Sequence, residues 1–299
     1  MNAKIIDGKE IAAEVKKRVA NAVIYLNKKN IYPGLATILV GDDPASKIYV
    51  NNKSKLAKEI GIKSFQYNFD STIEEADLIK LINKLNNNVE VDGILIQLPL
   101  PKHINTDLIL DTVSPSKDVD GFHTFNAGSL YLNKKGIIPC TPLGCLIMLY
   151  SLKRPLNGLR AVIIGRSNIV GKPMSHLLLR ENCTVTIVHS QTRNIEEVVK
   201  EADIVVAAVG IANYVKESWI KSGSIVLDVG INRIIKNGKT KLLGDVDFNK
   251  IVNKASAISP VPGGVGPMTI VCLLMNTVIQ CSINKNIDLK NSFKKFIRL

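Results

Sequence analysis

The sequence predicts an α/β protein of two domains, each built on a parallel sheet. Short apolar runs alternate with helical patterns twice, first up to about residue 100 and again from about residue 160. Strands that alternate with helices form parallel sheets covered by helices. The second set opens with a strand that ends in glycine, which is typical of Rossmann-like domains. The length of 299 residues is ample for two domains.

The first set is predicted to contain three strands and two helices. The strands cover 35–40, 64–68 and 93–97, and the helices cover 44–60 and 73–85. The first and third strands are almost entirely apolar, as expected for strands that are buried on both faces of a parallel sheet.

The second set is predicted to form a Rossmann-like sheet. Its strands and one helix follow in order: strands 160–164, 184–188, 203–208 and 224–228, with helix 195–201 between the second and third. Another helix follows the first strand and carries Pro173 in its first turn, where proline is well tolerated.

The domain boundaries are predicted from where these sets begin and end. We expect a first domain over 1–139 and a second over 140–267, with segment 139–150 crossing between the two sheets. An apolar helix over 269–279 comes after the second sheet is complete. We therefore predict that residues 268–299 pack back on the first domain.

Composition narrows the possible classes of protein. The net charge of +13 suggests a nucleic-acid binder, but the lysines are spread singly, and we favour a solvated surface that attracts anionic ligands. The apolar stretches look too short and interrupted to cross a bilayer, and the first ten residues do not resemble a secretory signal. We expect a cytoplasmic protein that binds neither nucleic acid nor membrane.

The cysteines and histidines do not form a metal-binding pattern. Neither type shows metal-ligand spacing, so we interpret the cysteines as small apolar core residues and expect no metal. The residues are Cys140, Cys145, Cys183, Cys272, Cys281, His103, His123, His176 and His189.

The segment from Gly165 to Gly171 indicates a dinucleotide site. It lies between a buried strand and a helix, where backbone N–H groups and the helix dipole bind a pyrophosphate. The spacing departs from G-x-G-x-x-G, so an ordinary glycine-containing turn is the alternative.

The polar residues near this turn favour NADP over NAD. An NAD site usually places a carboxylate after the second strand, but this sequence has His189 and Ser190 there, with Arg193 close behind. Arg166 lies in the glycine turn itself. A guanidinium and a hydroxyl suit the 2′-phosphate of NADP, which a carboxylate would repel.

Lys53 is the candidate catalytic residue. Asp43 is a good N-cap for helix 44–60 and sets its phase. The predicted apolar face then contains Ala45, Ile48, Tyr49, Leu56, Ala57 and Ile60. Lys53 falls on this face, whereas Lys47, Lys55 and Lys58 fall on the opposite one. A lysine at the edge of an apolar face can reach solvent by its length, but a buried amine has a lowered pKa and can act as a general base.

Three further features are candidates for supporting Lys53 or for binding substrate. Gln97 ends a buried strand and can accept a hydrogen bond from a neutral amine, or cap loop backbone. Asp118 and Asp120 could cap a turn. Because a carboxylate beside Lys53 would raise the lysine pKa, Asp120 more plausibly binds adjacent N–H donors of a pterin-like edge. The glycine-rich and proline-rich segment 260–267 allows close backbone approach to a ligand, or simply connects two elements.

Together these segments resemble the bifunctional methylenetetrahydrofolate dehydrogenase/methenyltetrahydrofolate cyclohydrolase family. The similarity runs almost end to end and keeps the family's order. The matching segments are 47–53, 93–101, 117–123, 139–142, 165–174, 228–232, 244–247 and 260–269.

This resemblance implies NADP-dependent oxidation of methylenetetrahydrofolate, followed by hydrolysis of the product at one site in a cleft between the domains. It implies a homodimer joined through the cofactor domains. The implied catalytic residues are Lys53, Tyr49, Gln97 and Asp120. The implied substrate-binding residues are Tyr49, Asp120, Pro262 and Gly263. The implied NADP-binding residues are Gly165, Arg166, Ser167, Ser190 and Ile231.

Two other functions are compatible with parts of the sequence. Another two-domain NADP dehydrogenase, acting on a hydroxy acid or a shikimate-like alcohol, would share the fold but lack the Tyr49, Lys53 and Gln97 trio. A basic nucleic-acid-binding module would be retained on DNA in a salt-dependent manner.

Overall fold

The computed structural model describes residues 2–236 and 239–289 and divides the chain into two compact units. The six-stranded unit comprises the residues up to Ala13 together with Thr141–Thr269. The three-stranded unit comprises Glu14–Cys140 and, among the described carboxyl-terminal residues, 270–289. Both units contain a parallel sheet, which confirms the predicted α/β class with two domains. Of the predicted segment 268–299, residues 290–299 lie outside the described residues.

The three-stranded unit is built on strands β2 (Gly34–Val40), β3 (Lys63–Phe69) and β4 (Gly93–Ile96), in the order β3-β2-β4. All pairings are parallel, and every residue of β2 and β4 is buried. Five helices accompany these strands: α1 (Gly8–Asn27), which belongs to this unit from Glu14 onward, α2 (Pro44–Glu59), α3 (Glu75–Asn86), α4 (Thr106–Thr112) and α5 (Thr124–Tyr131). Leu78, Ile82 and Leu85 of α3 pack against the apolar side chains of β2 and β4.

The helix after β2 begins where its cap predicts. Asp43 accepts hydrogen bonds from the Ser46 backbone N–H and hydroxyl, each at 2.8 Å, which fixes the first turn of α2. The helix ends before Gly61, whose φ of +89° is in the left-handed region that glycine adopts without strain. Both ends therefore agree with the sequence prediction to within one residue.

The six-stranded sheet has the order β1-β11-β8-β7-β5-β6, and every pairing in it is parallel. Its strands are β1 (Lys4–Ile5), β5 (Arg160–Ile164), β6 (Thr184–Val188), β7 (Ile204–Ala207), β8 (Ile225–Asp228) and β11 (Ala257–Ile258). The chain leaves β5 for β6 on one side and later enters β7 on the other, so the strand order reverses beside β5. In open α/β sheets, ligands bind at the carboxyl ends of the strands at such a reversal.

The remaining elements of the six-stranded unit surround this sheet. They are helices α6 (Cys140–Ser151), α7 (Gly171–Arg180), α8 (Ile195–Lys200) and α9 (Phe248–Ile251), a 3₁₀ turn at Glu217–Trp219, and strands β9 (Asn232–Lys236) and β10 (Lys239–Leu243). Strands β9 and β10 form an antiparallel hairpin that the sequence interpretation missed.

The amino terminus differs from the predicted division. The prediction placed residues 1–139 in one domain, but the structure assigns the residues up to Ala13 to the six-stranded unit. The reason is that Lys4–Ile5 pairs in parallel with Ala257–Ile258 at the edge of that sheet. A strand of two residues leaves no periodic signal in a sequence.

The last described helix, α10 (Val265–Asn284), corrects the expectation that apolar stretches are too short to cross a bilayer. By length and composition it could span one, with a mean hydropathy of 1.5. However, 67% of that window is buried inside the protein, as in the core helix of a globular protein. The chain passes along α10 from the six-stranded unit into the three-stranded unit at Thr269 and Ile270.

Candidate active site

Helix α2 buries one lysine and exposes its other three. Lys53 is only 5% exposed, whereas Lys47, Lys55 and Lys58 are exposed. The possibility that Lys53 reaches solvent from the edge of the apolar face is therefore wrong. Because a buried ammonium loses its hydration, an amine at this position must be neutral or closely supported.

The buried face of α2 is rotated from the predicted one. Ile48 was placed on the apolar face but is 49% exposed, and Leu56 is only partly buried. The helix instead buries Ser46, Val50, Lys53, Ser54 and Ala57. These side chains are mostly small, so the helix can pack closely on the sheet. The hydroxyls of Ser54 and Ser64 also form a hydrogen bond across the contact, at 2.6 Å.

Gln97 accepts the hydrogen bond that the buried amine donates. The distance from Lys53 Nζ to Gln97 Oε1 is 3.1 Å. Gln97 Nε2 donates to the Leu98 carbonyl at 2.8 Å, which directs the amide oxygen toward the lysine. The Gln97 backbone N–H in turn donates to the Ile38 carbonyl of β2 at 2.9 Å. The amide is therefore held at the carboxyl end of β4, beside the strand that leads into α2.

Tyr49 lies one turn before Lys53 on α2, and its ring faces the amine. Lys53 Nζ is 5.2 Å from the centre of the Tyr49 ring. An aromatic face attracts a cation weakly at this distance. Tyr49 is thus a neighbour of the amine, as the helical spacing predicted.

The two carboxylates of segment 117–123 have different environments. Asp118 is 5% exposed and accepts hydrogen bonds from the backbone N–H groups of Gly121 and His123, each at 2.9 Å, and from Asn126 Nδ2 at 2.8 Å. Asp118 therefore shapes the turn. Asp120 is partly buried and interacts electrostatically with Lys53.

The register of this segment explains why Asp120 lies near Gln97. Asp118 pairs in parallel with Ile94 of β4, and the Ile94 N–H donates to the Lys117 carbonyl at 2.7 Å. This bridge places the segment that carries Asp120 beside β4, whose last residue, Ile96, immediately precedes Gln97.

Burial dominates the electrostatics of Lys53. Loss of hydration lowers the pKa of its amine, although the nearby Asp120 carboxylate and Cys140 thiol act to raise it. We expected Asp120 to bind substrate rather than the lysine, because a carboxylate partner would favour the ammonium. The Asp120 carboxylate does act to raise the lysine pKa, but the effect of burial is larger, so the direction of the lysine pKa favours a base.

Burial also suppresses the charge of Asp120. It raises the pKa of this carboxyl to about 6, with repulsion from Asp118 adding to the effect and attraction to Lys53 opposing it. Because this value is close to neutral, the carboxyl exchanges its proton far more readily than an ordinary aspartate near pH 7. Lysine and aspartate together form a pair of groups whose pKa values are both shifted toward neutrality.

Two residues support this site that the sequence interpretation did not single out. Asn276 of α10 is 1% exposed, and its Nδ2 donates to the carbonyls of Val119 at 2.9 Å and Ile138 at 3.0 Å. The Cys140 thiol donates to the same Val119 carbonyl at 3.3 Å, and burial raises the pKa of this thiol far above its ordinary value. Both side chains therefore hold the backbone next to Asp120.

The interpretation of the cysteines and of metal binding rested on spacing alone. All five cysteines are buried. Across residues 2–236 and 239–289, no group of three or more histidine, cysteine, aspartate or glutamate side chains is placed to hold a metal ion.

The carboxyl end of β5 provides a cradle for a dinucleotide. Gly165 has a φ of +119°, and a Cβ atom there would lie 2.2 Å from the Ala208 carbonyl oxygen. A Cβ atom on Gly171 would lie 2.2 Å from the Gly165 carbonyl oxygen. Only glycine fits at these two positions, because the turn packs closely on its own backbone and on the segment after β7. The turn leads directly into the start of α7, where backbone N–H groups can bind an anion.

The predicted polar residues follow the neighbouring strands β5 and β6. Ser167 Oγ accepts from the N–H groups of Val170 at 3.2 Å and Gly171 at 3.3 Å, which shapes the turn into α7. Arg166, Ser167 and Ser190 are all exposed. The first two follow β5, and Ser190 follows β6. This set of hydroxyl and guanidinium donors fits a phosphorylated ribose.

The other predicted ligand residues lie elsewhere in the six-stranded unit. Ile231 is 49% exposed and lies between β8 and β9. Pro262 is exposed and Gly263 has a φ of +104°, in the turn that precedes α10. Lys53, Tyr49, Gln97 and Asp120 are brought together in the three-stranded unit.

A buried base in one α/β unit and a glycine cradle in the other define a two-domain, dinucleotide-dependent type of enzyme. Comparison with known proteins identifies the type. The catalytic-domain model of tetrahydrofolate dehydrogenase/cyclohydrolase matches residues 6–120, and the NAD(P)-binding-domain model of that family matches residues 139–285. The chain belongs to the tetrahydrofolate dehydrogenase/cyclohydrolase family.

Individual relatives agree over nearly the whole length. The bifunctional protein FolD 1/3 of Ruegeria pomeroyi is 53% identical over 283 residues, covering 94% of this chain and 96% of the relative. The crystal structure of a bifunctional FolD enzyme from Campylobacter jejuni superposes with a TM-score of 0.91 at 46% identity, covering 94% of this chain and 99% of that one. A Trypanosoma brucei FolD, complexed with NADP cofactor and inhibitor, gives a TM-score of 0.92 at 35% identity, covering 95% and 99%.

Proposed function

We propose that this protein oxidises methylenetetrahydrofolate with NADP and then hydrolyses the methenyl product to formyltetrahydrofolate. The observation that carries the proposal is the buried Lys53 amine, which donates to the Gln97 carbonyl and interacts electrostatically with the Asp120 carboxylate, in a chain of this family. The comparisons support this function over another two-domain dehydrogenase and over a nucleic-acid-binding module.

Lys53 moves the protons. A neutral amine that donates one hydrogen to Gln97 keeps its lone pair for another partner. In the hydrolytic step, water attacks the bridging carbon of the methenyl cation, and Lys53 accepts the proton that this water loses. As the ring opens, the same group returns a proton to the departing nitrogen. A single amine with a lowered pKa can serve both transfers near neutral pH.

Asp120 anchors the substrate and tunes the lysine. Its carboxylate can accept two adjacent N–H donors from the pterin edge. Such donors would also reduce the attraction of Asp120 for the lysine proton, which otherwise raises the lysine pKa. The cationic methenyl group acts in the same direction, because a nearby positive charge disfavours an ammonium. Substrate binding therefore favours the basic form of Lys53.

NADP⁺, when bound, supplies the acceptor for the hydride that leaves the methylene carbon. The residues that fit it are Gly165 and Gly171, which allow the tight turn into α7, and Arg166, Ser167 and Ser190, which offer donors to its phosphates. Arg166 and Ser190 favour the 2′-phosphate form over NAD. Ile231 is assigned to the same ligand, and Pro262 and Gly263 are assigned to the folate.

A homodimer joined through the six-stranded units and a cytoplasmic location are part of the same proposal. Both rest on resemblance to the family. Sedimentation of the purified protein at twice the monomer mass would support the homodimer, and a monomer at micromolar concentration would contradict it.

A two-wavelength absorbance assay tests the main proposal. Purified protein mixed with methylenetetrahydrofolate and NADP⁺ should produce NADPH, with the methenyl form appearing first and then decaying. Methenyltetrahydrofolate added without NADP⁺ should be hydrolysed faster than in buffer. Absence of both changes would refute the proposed function, and retention on DNA instead would favour the basic binding module.

A further inference from the structure

Two buried carboxylates lie at the carboxyl edge of the six-stranded sheet and take no part in the mechanism above. Asp228 is the last residue of β8, and Asp245 follows β10. Their exposed fractions are 2% and 0%. The ion pairs of residues 2–236 and 239–289 include neither of them. Buried carboxylates without a cation must be compensated by hydrogen-bond donors.

Asp245 accepts four hydrogen bonds from two separate segments of the chain. Its Oδ2 accepts from the backbone N–H groups of Val209 at 2.6 Å and Gly210 at 2.9 Å. Its Oδ1 accepts from the Ile211 N–H at 3.0 Å and from Asn232 Nδ2 at 2.9 Å. The Asp245 carboxylate thus accepts from three consecutive backbone N–H groups after β7 and also from the side chain of Asn232, the first residue of β9.

Asp228 holds Asp245 in place. Asp228 Oδ1 accepts from the backbone N–H groups of Gly230 at 3.0 Å and Asp245 at 2.9 Å, and its Oδ2 accepts from the Val246 N–H at 3.0 Å. A Cβ atom on Gly244 would lie 1.8 Å from Asp228 Oδ2, so this approach requires glycine. The segment that carries Asp245 is therefore fixed by the end of β8.

The loops gathered by Asp245 flank the proposed dinucleotide cradle. The segment 209–211 directly follows Ala208, whose carbonyl lies against Gly165 at the reversal of strand order. Ile231, assigned to the cofactor, directly precedes Asn232. Loops at the carboxyl ends of the strands beside the reversal are those that contact a dinucleotide in this type of sheet.

We propose that Asp245 is a positioning residue of the dinucleotide site, holding segment 209–211 and Ile231 in the arrangement that binds NADP. This inference rests on the proposed function, since it assigns the neighbouring cradle to NADP. Within residues 2–236 and 239–289, Asp245 accepts from backbone N–H groups and one side-chain amide, and it acts through the loops that it holds together. Fixing both loops before the ligand arrives avoids the entropic cost of ordering them on binding.

The Asp245→Asn variant tests this role, because an amide keeps the size of the side chain but cannot accept from donors on both sides. NADP⁺ titration by calorimetry should show a Kd about tenfold higher than in the wild type, since bonds to a charged acceptor are lost. The KM for NADP⁺ should rise similarly, with a smaller change in the kcat of oxidation. Hydrolysis of methenyltetrahydrofolate, which needs no dinucleotide, should stay within about twofold.

Asp203→Asn is the matched control. The Asp203 carboxylate also binds backbone, since it accepts from the Arg160 N–H at 2.9 Å, and it accepts from Lys221 Nζ at 2.6 Å. It lies, however, at the amino ends of β5 and β7. This variant should lose stability without a change in NADP⁺ affinity. Asn232→Ala removes one donor to Asp245 and should raise the Kd about threefold, which provides a milder variant should Asp245→Asn fail to fold.

An unchanged NADP⁺ Kd in folded Asp245→Asn or Asn232→Ala protein would overturn the positioning role. So would an equal loss of affinity in Asp203→Asn, because the effect would then follow general stability. These outcomes are distinct from failure of the proposed function, in which the wild-type protein itself neither oxidises methylenetetrahydrofolate nor hydrolyses the methenyl form.

Discussion

The Lys53 amine donates a hydrogen bond to the Gln97 carbonyl oxygen at 3.1 Å, and this bond joins helix α2 to the end of strand β4. A neutral acceptor satisfies the buried amine without adding a charge that would hold its proton. Gln97 is itself oriented by the Leu98 carbonyl. The pair explains how a lysine can lie inside the protein with a lowered pKa and remain hydrogen-bonded.

Replacing Lys53 by Met should abolish hydrolysis of methenyltetrahydrofolate while the fold is retained. The loss should be about 10²–10⁴-fold in kcat, the usual contribution of general acid–base catalysis. Decay of the methenyl absorbance measures it directly. Lys58→Met, at an exposed position of the same helix, is the control and should behave as the wild type. Equal turnover in the two variants would refute the role of Lys53.

Replacing Gln97 by Glu should move the pH dependence of hydrolysis to higher pH. A carboxylate beside the amine favours the ammonium, so the lysine pKa rises and the basic form appears later in a titration. The ascending limb of the kcat profile should shift upward by about 1 unit or more. Gln66→Glu adds the same charge at an exposed position of β3 and should leave the profile in place. A profile for Gln97→Glu that coincides with the wild type would contradict the account of the lysine environment.

Asp120 and Asp118 should give opposite results when each is replaced by Ala. Asp120→Ala should raise the KM for folate by about tenfold to a hundredfold, because a charged acceptor of substrate N–H groups is lost. Asp118→Ala leaves three buried donors without an acceptor and should lower the free energy of unfolding by about 3 kcal/mol. Kinetics and urea denaturation of both variants separate the two roles. An unaltered folate KM in Asp120→Ala would reassign that residue to structure.

Arg166→Ala should weaken binding of NADP⁺ more than binding of NAD⁺. If the guanidinium contacts the 2′-phosphate, its loss should raise the KM for NADP⁺ about tenfold and that for NAD⁺ by less than about twofold. Steady-state kinetics with both dinucleotides provides the comparison. Arg180→Ala, at the opposite end of α7, is the control. Equal losses for the two dinucleotides in Arg166→Ala would reject the phosphate contact.

Asp228 should make stability depend on pH in the mildly acidic range. Burial raises the pKa of this carboxyl from 3.8 to about 7 in the folded protein, so the folded state binds more protons than the unfolded state between those values. The contribution of Asp228 to the free energy of unfolding is therefore fully present below pH 4 and is lost as the pH rises through 7. Asp228→Asn does not titrate, so the Tm of the wild type minus that of the variant should be larger at pH 5 than at pH 8.

Calorimetry at these two pH values measures that difference. Asp203→Asn is a useful comparison, because hydrogen bonds from Lys221 and from the Arg160 backbone lower the pKa of Asp203. The contribution of Asp203 to the free energy of unfolding is present above its ordinary pKa and is lost only as the pH falls below that value. The Tm of the wild type minus that of Asp203→Asn should therefore be the same at pH 5 and pH 8. If the Tm difference for Asp228→Asn is also the same at pH 5 and pH 8, the raised pKa of Asp228 is contradicted.

Local patterns were sufficient for the strands and helices that place Lys53 and Gln97. The apolar run of β2, the Asp43 cap and the glycine after α2 fixed the helix from sequence neighbours alone. The same reasoning misjudged which face of α2 is buried, because small side chains such as Ser54 carry little hydrophobic signal yet allow the closest packing.

Long-range contacts were beyond such reasoning. The different roles of Asp118 and Asp120 depend on pairing with Ile94, and no local rule distinguishes the two carboxylates. Asn276 reaches the Val119 carbonyl across 157 positions of sequence. The joining of Asp245 to segment 209–211 likewise depends on how the hairpin β9–β10 returns to the sheet. These features follow from tertiary structure, which single-sequence patterns do not encode.

The contact between Asn276 and the Val119 carbonyl has a consequence for biosynthesis. Lys53 and Asp120 are translated early. The Asn276 amide, which donates to the Val119 carbonyl next to Asp120, is translated more than 150 residues later. A chain interrupted before α10 would therefore carry all of its reactive groups and still lack a rigid frame for them. Activity should therefore appear only after α10 has been translated.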